Sequence, residues 1–175
     1  SYNSFNMLQT TVTEQPAYNS GAIEFTPADT HNLGSASDIT LSGAFTIGIK
    51  LNIAGTNTII IGDNTTVGEF FKIFSTTVLR VKIDNATADV QLDSGAWGDG
   101  YMVVTRDASN RIALWWNGVE QTTATPTQSG TVNIDAIGVR KTDLNAYDGS
   151  IREIQIFEAE STAITANVNS YLGAI

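Results

Sequence analysis

The sequence predicts an all-β fold, a two-sheet antiparallel jelly-roll sandwich with one short C-terminal helix, and three observations predict it. Apolar and polar residues alternate over many short segments. Phe45, Ile47, Ile49, Leu51 and Ile53 interleave with Thr46, Gly48, Lys50 and Asn52, the period of two that gives a strand one buried face. Short segments of this kind recur at close spacing, separated by Gly, Asn, Asp and Thr, as in sandwiches and barrels. Finally, residues 100–118 read GYMVVTRDASNRIALWWNG. They predict strands over 101–106 and 111–116 around the polar turn Asp107-Ala108-Ser109-Asn110. The stretch closes on Asn117-Gly118, the dipeptide that most strongly signals a tight hairpin turn.

The elements follow in order. Residues 1–20 are rich in Asn, Ser, Thr and Gln and contain Pro16. They predict an arm or loose first strand. Tyr2, Phe5, Met7 and Leu8 are too apolar for a free tail and are expected to dock on this domain or on a neighbour. Residues 21–175 then form a single domain with no linker and no internal repeat. A short strand covers 21–25, and the alternating strand 45–53 follows. Residues 59–61 run into the turn composition Gly62-Asp63-Asn64. Residues 69–74 are an aromatic strand. Leu79, Val81 and Ile83 alternate with Arg80, Lys82 and Asp84, and Val90 and Leu92 continue the theme. After the 100–118 hairpin come strands over 132–139 and 151–157. Ser161 is a good helix N-cap, and Ile164, Val168 and Leu172 recur at helical spacing before Gly173. That helix is expected to pack on the sandwich edge.

Bulk properties narrow the function. A chain of 175 residues makes one domain and hides roughly 70% of the surface its unfolded form exposes. The absence of cysteine excludes a disulfide framework and a cysteine-based zinc site. With 18 acidic and 9 basic residues, and no run among the basic ones, the chain is a poor partner for nucleic acid or an anionic membrane. Its acidity serves solubility. No apolar segment approaches the ~20 residues that span a bilayer. The first residues lack the basic start and apolar run of a signal peptide. Ser1 is what trimming of an initiator Met leaves, which favours assembly inside a cell.

The order of these segments resembles the laminin G-like jelly roll of the concanavalin A-like lectin and glucanase superfamily. The likeness rests on AFTIGIKL (44–51), YMVVTRD–SNRIALWWNG (101–118), DAIGVR (135–140) and DGSIREIQIF (148–157) before a short helix. Relatives carry a V-V-T-R-D … L-Y-V-N-G hairpin and a G-x-I-D-E-V-x-I-Y last strand. Here Trp116 precedes Asn117-Gly118, Arg152 stands for the Asp and Phe157 for the Tyr. The resemblance covers most of 21–173. It implies a pair of curved antiparallel sheets, and calcium in some members. It does not imply one activity, because the superfamily holds lectins, glycan-binding modules, glycosidases, adhesion domains and virion proteins.

Glu153 and Glu158 echo the Glu-x-Asp-x-x-Glu strand of related glycosidases, whose outer carboxylates face the sugar together. The central Asp is Gln155 here, and the segment aligns better with the non-catalytic last strand, so no catalytic residue is assigned. His31 is the single histidine. It lacks a Gly-x-Ser-x-Gly elbow and is read as exposed or capping. No cofactor is assigned with certainty; calcium is the plausible ion, with Asp29, Asp63 and Asn64 as candidates against a plain Asx-turn role. Trp97, Trp115 and Tyr147 are the candidate sugar-stacking rings, against packing under loops. In 112–117 one tryptophan of the adjacent pair must face away from the other. With Trp116 in the core, Trp115 meets solvent, a ligand or a partner. Asn64-Thr-Thr and Asn85-Ala-Thr match the glycosylation pattern by composition alone.

These readings favour a non-enzymatic virion surface protein of a bacteriophage, of the capsid decoration, head-fibre or tail adhesion type. It would assemble in the host cytoplasm and dock on capsid or tail proteins, or on itself, through the N-terminal arm. It would display a lectin-like sandwich for attachment to host-surface glycan or for particle stabilisation. The alternative is a secreted, extracellular carbohydrate-binding module or lectin, and a glycosidase ranks last.

Overall fold

The computed structural model describes residues 7–141 and 145–175. Thirteen strands make two antiparallel sheets. The strands are β1 (Ala17–Asn19), β2 (Ala22–Phe25), β3 (Leu33–Leu41), β4 (Phe45–Ile53), β5 (Thr58–Gly62), β6 (Phe70–Ile73), β7 (Val78–Ile83), β8 (Ala86–Gln91), β9 (Asp99–Arg106), β10 (Ile112–Trp116), β11 (Val119–Gln121), β12 (Val132–Ile137) and β13 (Gly149–Phe157), and the helix α1 is Thr162–Ala174. One sheet has the order β1-β2-β13-β4-β9-β10-β11 and the other β3-β12-β5-β6-β7-β8. The predicted two-sheet sandwich with one C-terminal helix is what forms.

Alternation explains which face each strand buries. Phe45, Ile47, Ile49 and Leu51 of β4 meet Phe71, Ile73, Leu79, Val81 and Val90 of the other sheet in one core, all at most 1% exposed. Removing any one of these large side chains would cost about 2–5 kcal/mol. Thr46 and Gly48, on the outward side of β4, are buried too, because α1 packs on β4 and β9, whereas Lys50 is half-buried and Asn52 exposed. Val168 and Leu172 join Val103, Tyr101, Trp115 and Ile164 in a second cluster there. Gly48 makes room: a Cβ on it would stand 2.3 Å from Val168 Cγ1. Ser161 caps α1 as expected, its Oγ accepting from Ile164 N at 3.2 Å, and the helix runs through Gly173 to Ala174.

The 101–118 hairpin is scaffold. Asp107 Oδ1 accepts from Ser109 N at 2.8 Å and from Arg111 N at 2.9 Å, which sets the first turn. Asn117 and Gly118 both adopt positive φ, 50° and 81°, the geometry a two-residue hairpin loop demands. Arg106 is fully buried. Its guanidinium lies 5.0 Å from the Phe45 ring centroid. It donates to the carbonyls of Gly43 (Nε, 2.8 Å), Gly130 (2.8 Å) and Leu41 (3.3 Å), with a second donation to Gly43.

Two strands, β3 and β11, escape the sequence reading. β3 lies at a sheet edge and carries Ser35, Ser37 and Asp38 on an outward, mostly exposed surface, so its apolar pattern is thin. β1 lies inside the segment expected to be an arm or loose first strand, and it pairs with β2. Residues 7–16 follow their own domain. Leu8 and Gly34 exchange backbone hydrogen bonds at 2.7 and 3.0 Å. Gln9 Nε2 donates to Asn32 Oδ1 at 2.7 Å. Met7 is half-buried and Leu8 is exposed, while Tyr2 and Phe5 lie outside the described residues.

Candidate functional site

The aromatic residues singled out by sequence do not converge. Tyr147, expected in an exposed loop, is fully buried. Its ring packs edge-on against Phe25 at 5.7 Å, and its hydroxyl donates to the Asn52 carbonyl at 2.9 Å. Burial, with Asp148 nearby, pushes the phenol well above its ordinary pKa. It is a core anchor, and its aromatic body outweighs its loop position in deciding where it goes. Trp116 faces the core and meets Trp97 edge-on at 5.2 Å. Trp97 is half-buried and held by a 3.0 Å hydrogen bond from Nε1 to the Ser75 carbonyl. Trp115 does face the other way, as alternation requires, and there it meets α1.

The calcium candidates are occupied with their own turns. Asp63 is buried, and its carboxylate accepts from Thr65 N and Oγ1, both at 2.6 Å, and from Thr66 N and Oγ1 at 3.0 and 3.1 Å. These bonds bring its pKa below the ordinary value in spite of burial, the largest opposing influence. Asn64 N donates to Asp135 Oδ1 at 2.6 Å. Asp29 lies 3.7 Å from His31 Nε2, and His31 Nδ1 accepts from Thr26 N at 3.1 Å, the capping role expected of it. Calcium takes six to eight oxygens. Among the described residues no group of three or more His, Asp or Glu side chains could hold a metal ion.

Nor do Glu153 and Glu158 form a carboxylate pair. β13 pairs with β4 in unbroken register from Glu153 to Phe157. Ile154 and Ile156 face the core, which turns Glu153 outward, while Glu158 lies in the bend after β13. Glu153 accepts from Gln155 Nε2 at 3.0 Å and from the Tyr171 hydroxyl at 3.4 Å. Glu158 lines a recess of about 250 Å³ with Leu41, Ser42, Gly43 and Ala44.

What the fold does assemble is a cation–aromatic face on the outside of the six-stranded sheet. Phe71, Ile73, Leu79 and Val81 point inward, so their neighbours Phe70, Lys72, Arg80 and Lys82 point out. β6 and β7 set Phe70 opposite Lys82, and Lys72 opposite Arg80. Phe74 prolongs the same row beyond β6 and is 42% exposed. The Arg80 guanidinium lies 3.7 Å from the Phe74 ring centroid and the Lys72 ammonium 5.9 Å. Phe70 is flanked by Lys82 at 5.6 Å and Arg140 at 5.2 Å. Arg140 arrives from beyond β12, where Ile59 N donates to the Asn145 carbonyl at 2.7 Å and Lys141 N to the Asp63 carbonyl at 3.0 Å. Four of the nine basic residues thus share one face, although they are scattered in sequence. The signal was the polar half of each alternating strand; the missing information was which strands are neighbours.

No family model matches the chain. No curated protein matches it in sequence either. Solved structures do match in fold. The heptameric SAP-like pentraxin from Limulus polyphemus aligns over 90% of this chain and 79% of its own, with 12% identity and a TM-score of 0.57. Domain 4 of AbnA, a GH43 extracellular arabinanase from Geobacillus stearothermophilus solved in complex with arabinotriose, aligns over 98% and 82%, with 16% identity and a TM-score of 0.55. The binding domain of Paraclostridial Mosquitocidal Protein 1 aligns over 97% of this chain with 11% identity and a TM-score of 0.60, and this chain spans 47% of that one. The shared architecture is the two-sheet antiparallel sandwich of concanavalin A-like jelly rolls.

Proposed function

We propose that this protein is a non-enzymatic attachment module that binds saccharide on the outer face of β6 and β7. Phe74 carries this reading: a large aromatic ring left substantially in solvent on a sheet face, beside cations that can hydrogen-bond a sugar. Sugars stack on such rings through their apolar C–H faces. α1 packs on the other sheet, and on the β6–β7 side Phe74 is the ring left exposed. The similar arabinanase domain, solved with arabinotriose, supports a saccharide as the class of ligand. Glu153 and Glu158, which form no carboxylate pair, support binding without hydrolysis.

The finer reading places the module on a bacteriophage particle, anchored by residues 1–20. Leu8, Val12 and Tyr18 support it, being 70%, 79% and 78% exposed within eleven residues of chain. Exposed large apolar side chains of this kind are available to a partner surface. A glycan array with the intact protein tests the binding reading. Retained saccharide, lost on Phe74→Ala with no turnover, is the expected result, and an empty array refutes it. Antibody labelling of particles tests the placement. Loss of label when Leu8, Val12 and Tyr18 are all replaced by Ser is expected, and particles that never label remove the virion assignment.

A further inference from the structure

Lys72 is in an unusual position. It is 9% exposed. Among the described residues its ammonium meets no carboxylate and no hydrogen-bond acceptor, only the Phe74 ring at 5.9 Å. Its charged neighbours are Arg140 and Arg80. A buried charge is normally paired, because desolvation disfavours it, and like charges directly across a strand pair are destabilising. Here Lys72 sits directly opposite Arg80. Arg80 has its own partner, Asp89, through Nε at 2.7 Å and a terminal nitrogen at 2.8 Å. Lys82 donates to the Val67 carbonyl at 2.8 Å. Arg140 reaches the Asn145 side-chain oxygen at 3.3 Å, while its Nε is buried without a partner. Donors therefore remain at the centre of the face, and an acceptor anion is what is missing.

We propose that this face binds an acidic saccharide, with the sugar's carboxylate seated among Lys72, Arg80 and Arg140 and its ring against Phe74. The inference rests on the saccharide-binding reading above and narrows it to an anionic sugar. A single carboxylate fits better than a long polyanion. Asp89 on β8 bounds the cations on one side, and it would repel charge extending past the centre. The ordinary loss of a charge-assisted hydrogen bond gives the expected size of effect, roughly ten- to hundredfold in affinity. Burial, with Arg140 and Arg80 adding to it, holds the Lys72 ammonium below its usual pKa, and a bound carboxylate would raise it again.

The test uses the full chain against an array of neutral, uronate, sialylated and sulfated oligosaccharides. It is followed by calorimetry with galacturonate and its methyl ester, which differ by one charge and one methyl group. Retention of the uronate or sialylated arm is expected, with the ester at least tenfold weaker. Lys72→Met should abolish acid preference and raise the midpoint of urea unfolding, since it removes one of two like charges directly opposite each other across β6 and β7; a folding defect therefore cannot imitate the loss. Lys50→Met removes the same charge from the other sheet and should bind as wild type. Equal binding of acid and ester, or Lys72→Met binding unchanged, overturns the inference and leaves the saccharide reading standing. No retained glycan at all overturns both. Preference for the sulfated arm, for inorganic phosphate, or for a single-stranded oligonucleotide at equal salt overturns the carboxylate assignment.

Discussion

Replacing Arg106 by Met should be the most damaging single change in the 101–118 hairpin. The guanidinium is wholly buried and serves the carbonyls of Leu41, Gly43 and Gly130, which belong to β3, to the turn before β4 and to the loop before β12. Met fills much of the volume but donates nothing. Three carbonyls then lose a donor, at about 1–3 kcal/mol each where water cannot reach them. Burial itself destabilises the charge, holding its pKa below the ordinary value, so part of that loss is recovered when the charge disappears. The net expectation is about 3–5 kcal/mol, the range seen when a buried polar network loses one member. In a domain of this length that lowers Tm by roughly 6–20 °C. Urea unfolding followed by tryptophan fluorescence reads it directly, as a lower midpoint at an unchanged slope. Arg106→Lys should fall between wild type and Met, because one ammonium cannot span three carbonyls on different segments. A Met variant within 1 kcal/mol of wild type would show that water replaces the guanidinium, and that the arginine does not tie these loops together.

Four further outcomes are expected. Gly48→Val would place side-chain atoms where Val168 Cγ1 and Leu172 Cδ1 now pack, 2.3 and 2.9 Å from the new Cβ. It should cost about 1–3 kcal/mol and speed amide exchange throughout α1, whereas unchanged exchange there would refute the docking argument. Tyr147→Phe removes one buried hydrogen bond, to Asn52, and should cost about 1 kcal/mol without altering glycan retention. Asp93 accepts from Thr122 and Thr123, backbone and side chain alike, and these bonds bring its pKa down to about 2. Its contribution is present above the unfolded value near 3.8 and fades as pH falls toward 2, so Asp93→Asn should flatten unfolding midpoints over that window. Glu69 behaves oppositely. Burial raises its pKa, and Asp63 and Asp84 add to the rise, so its stabilising effect is complete below the unfolded pKa and lost as pH climbs through the folded one. Glu69→Gln should therefore be more stable than wild type at pH 7, with the gap closing toward pH 4.

Sequence reading succeeded wherever one strand carried its own information. β4 announces itself through five alternating apolar residues, and Asn117-Gly118 announces its turn, because both signals are local. β3 was missed for the converse reason. At a sheet edge a strand need not bury one whole face, so Ser35, Ser37 and Asp38 are tolerated and the pattern fades. Trp115 was placed on the correct side by alternation alone. That α1 would cover it depends on Gly48, sixty-seven residues earlier in the chain, leaving space for Val168 and Leu172. Tyr147 failed as a surface residue because its loop crosses the sandwich rim, where a ring finds Phe25 and a buried carbonyl.

The cation–aromatic face shows the same limit in its functional form. Lys72 and Arg80 are eight residues apart in a chain of net charge −9, and nothing local marks them as a pair. The turn between β6 and β7 sets their register, and register alone decides that two cations stand opposite each other rather than each opposite an acid. Shifting β7 by one residue would turn Leu79 and Val81 to solvent, so the core enforces the juxtaposition. Arg80 shows that the fold can supply a counter-ion, since Asp89 lies directly across from it on β8. Lys72 has no such partner, although β5 could provide one at Ile59, the residue paired with it on the other side. An apolar residue at that position leaves the charge unneutralised within the sheet. The cost is borne by the unbound protein, and a ligand carboxylate is the group that would remove it.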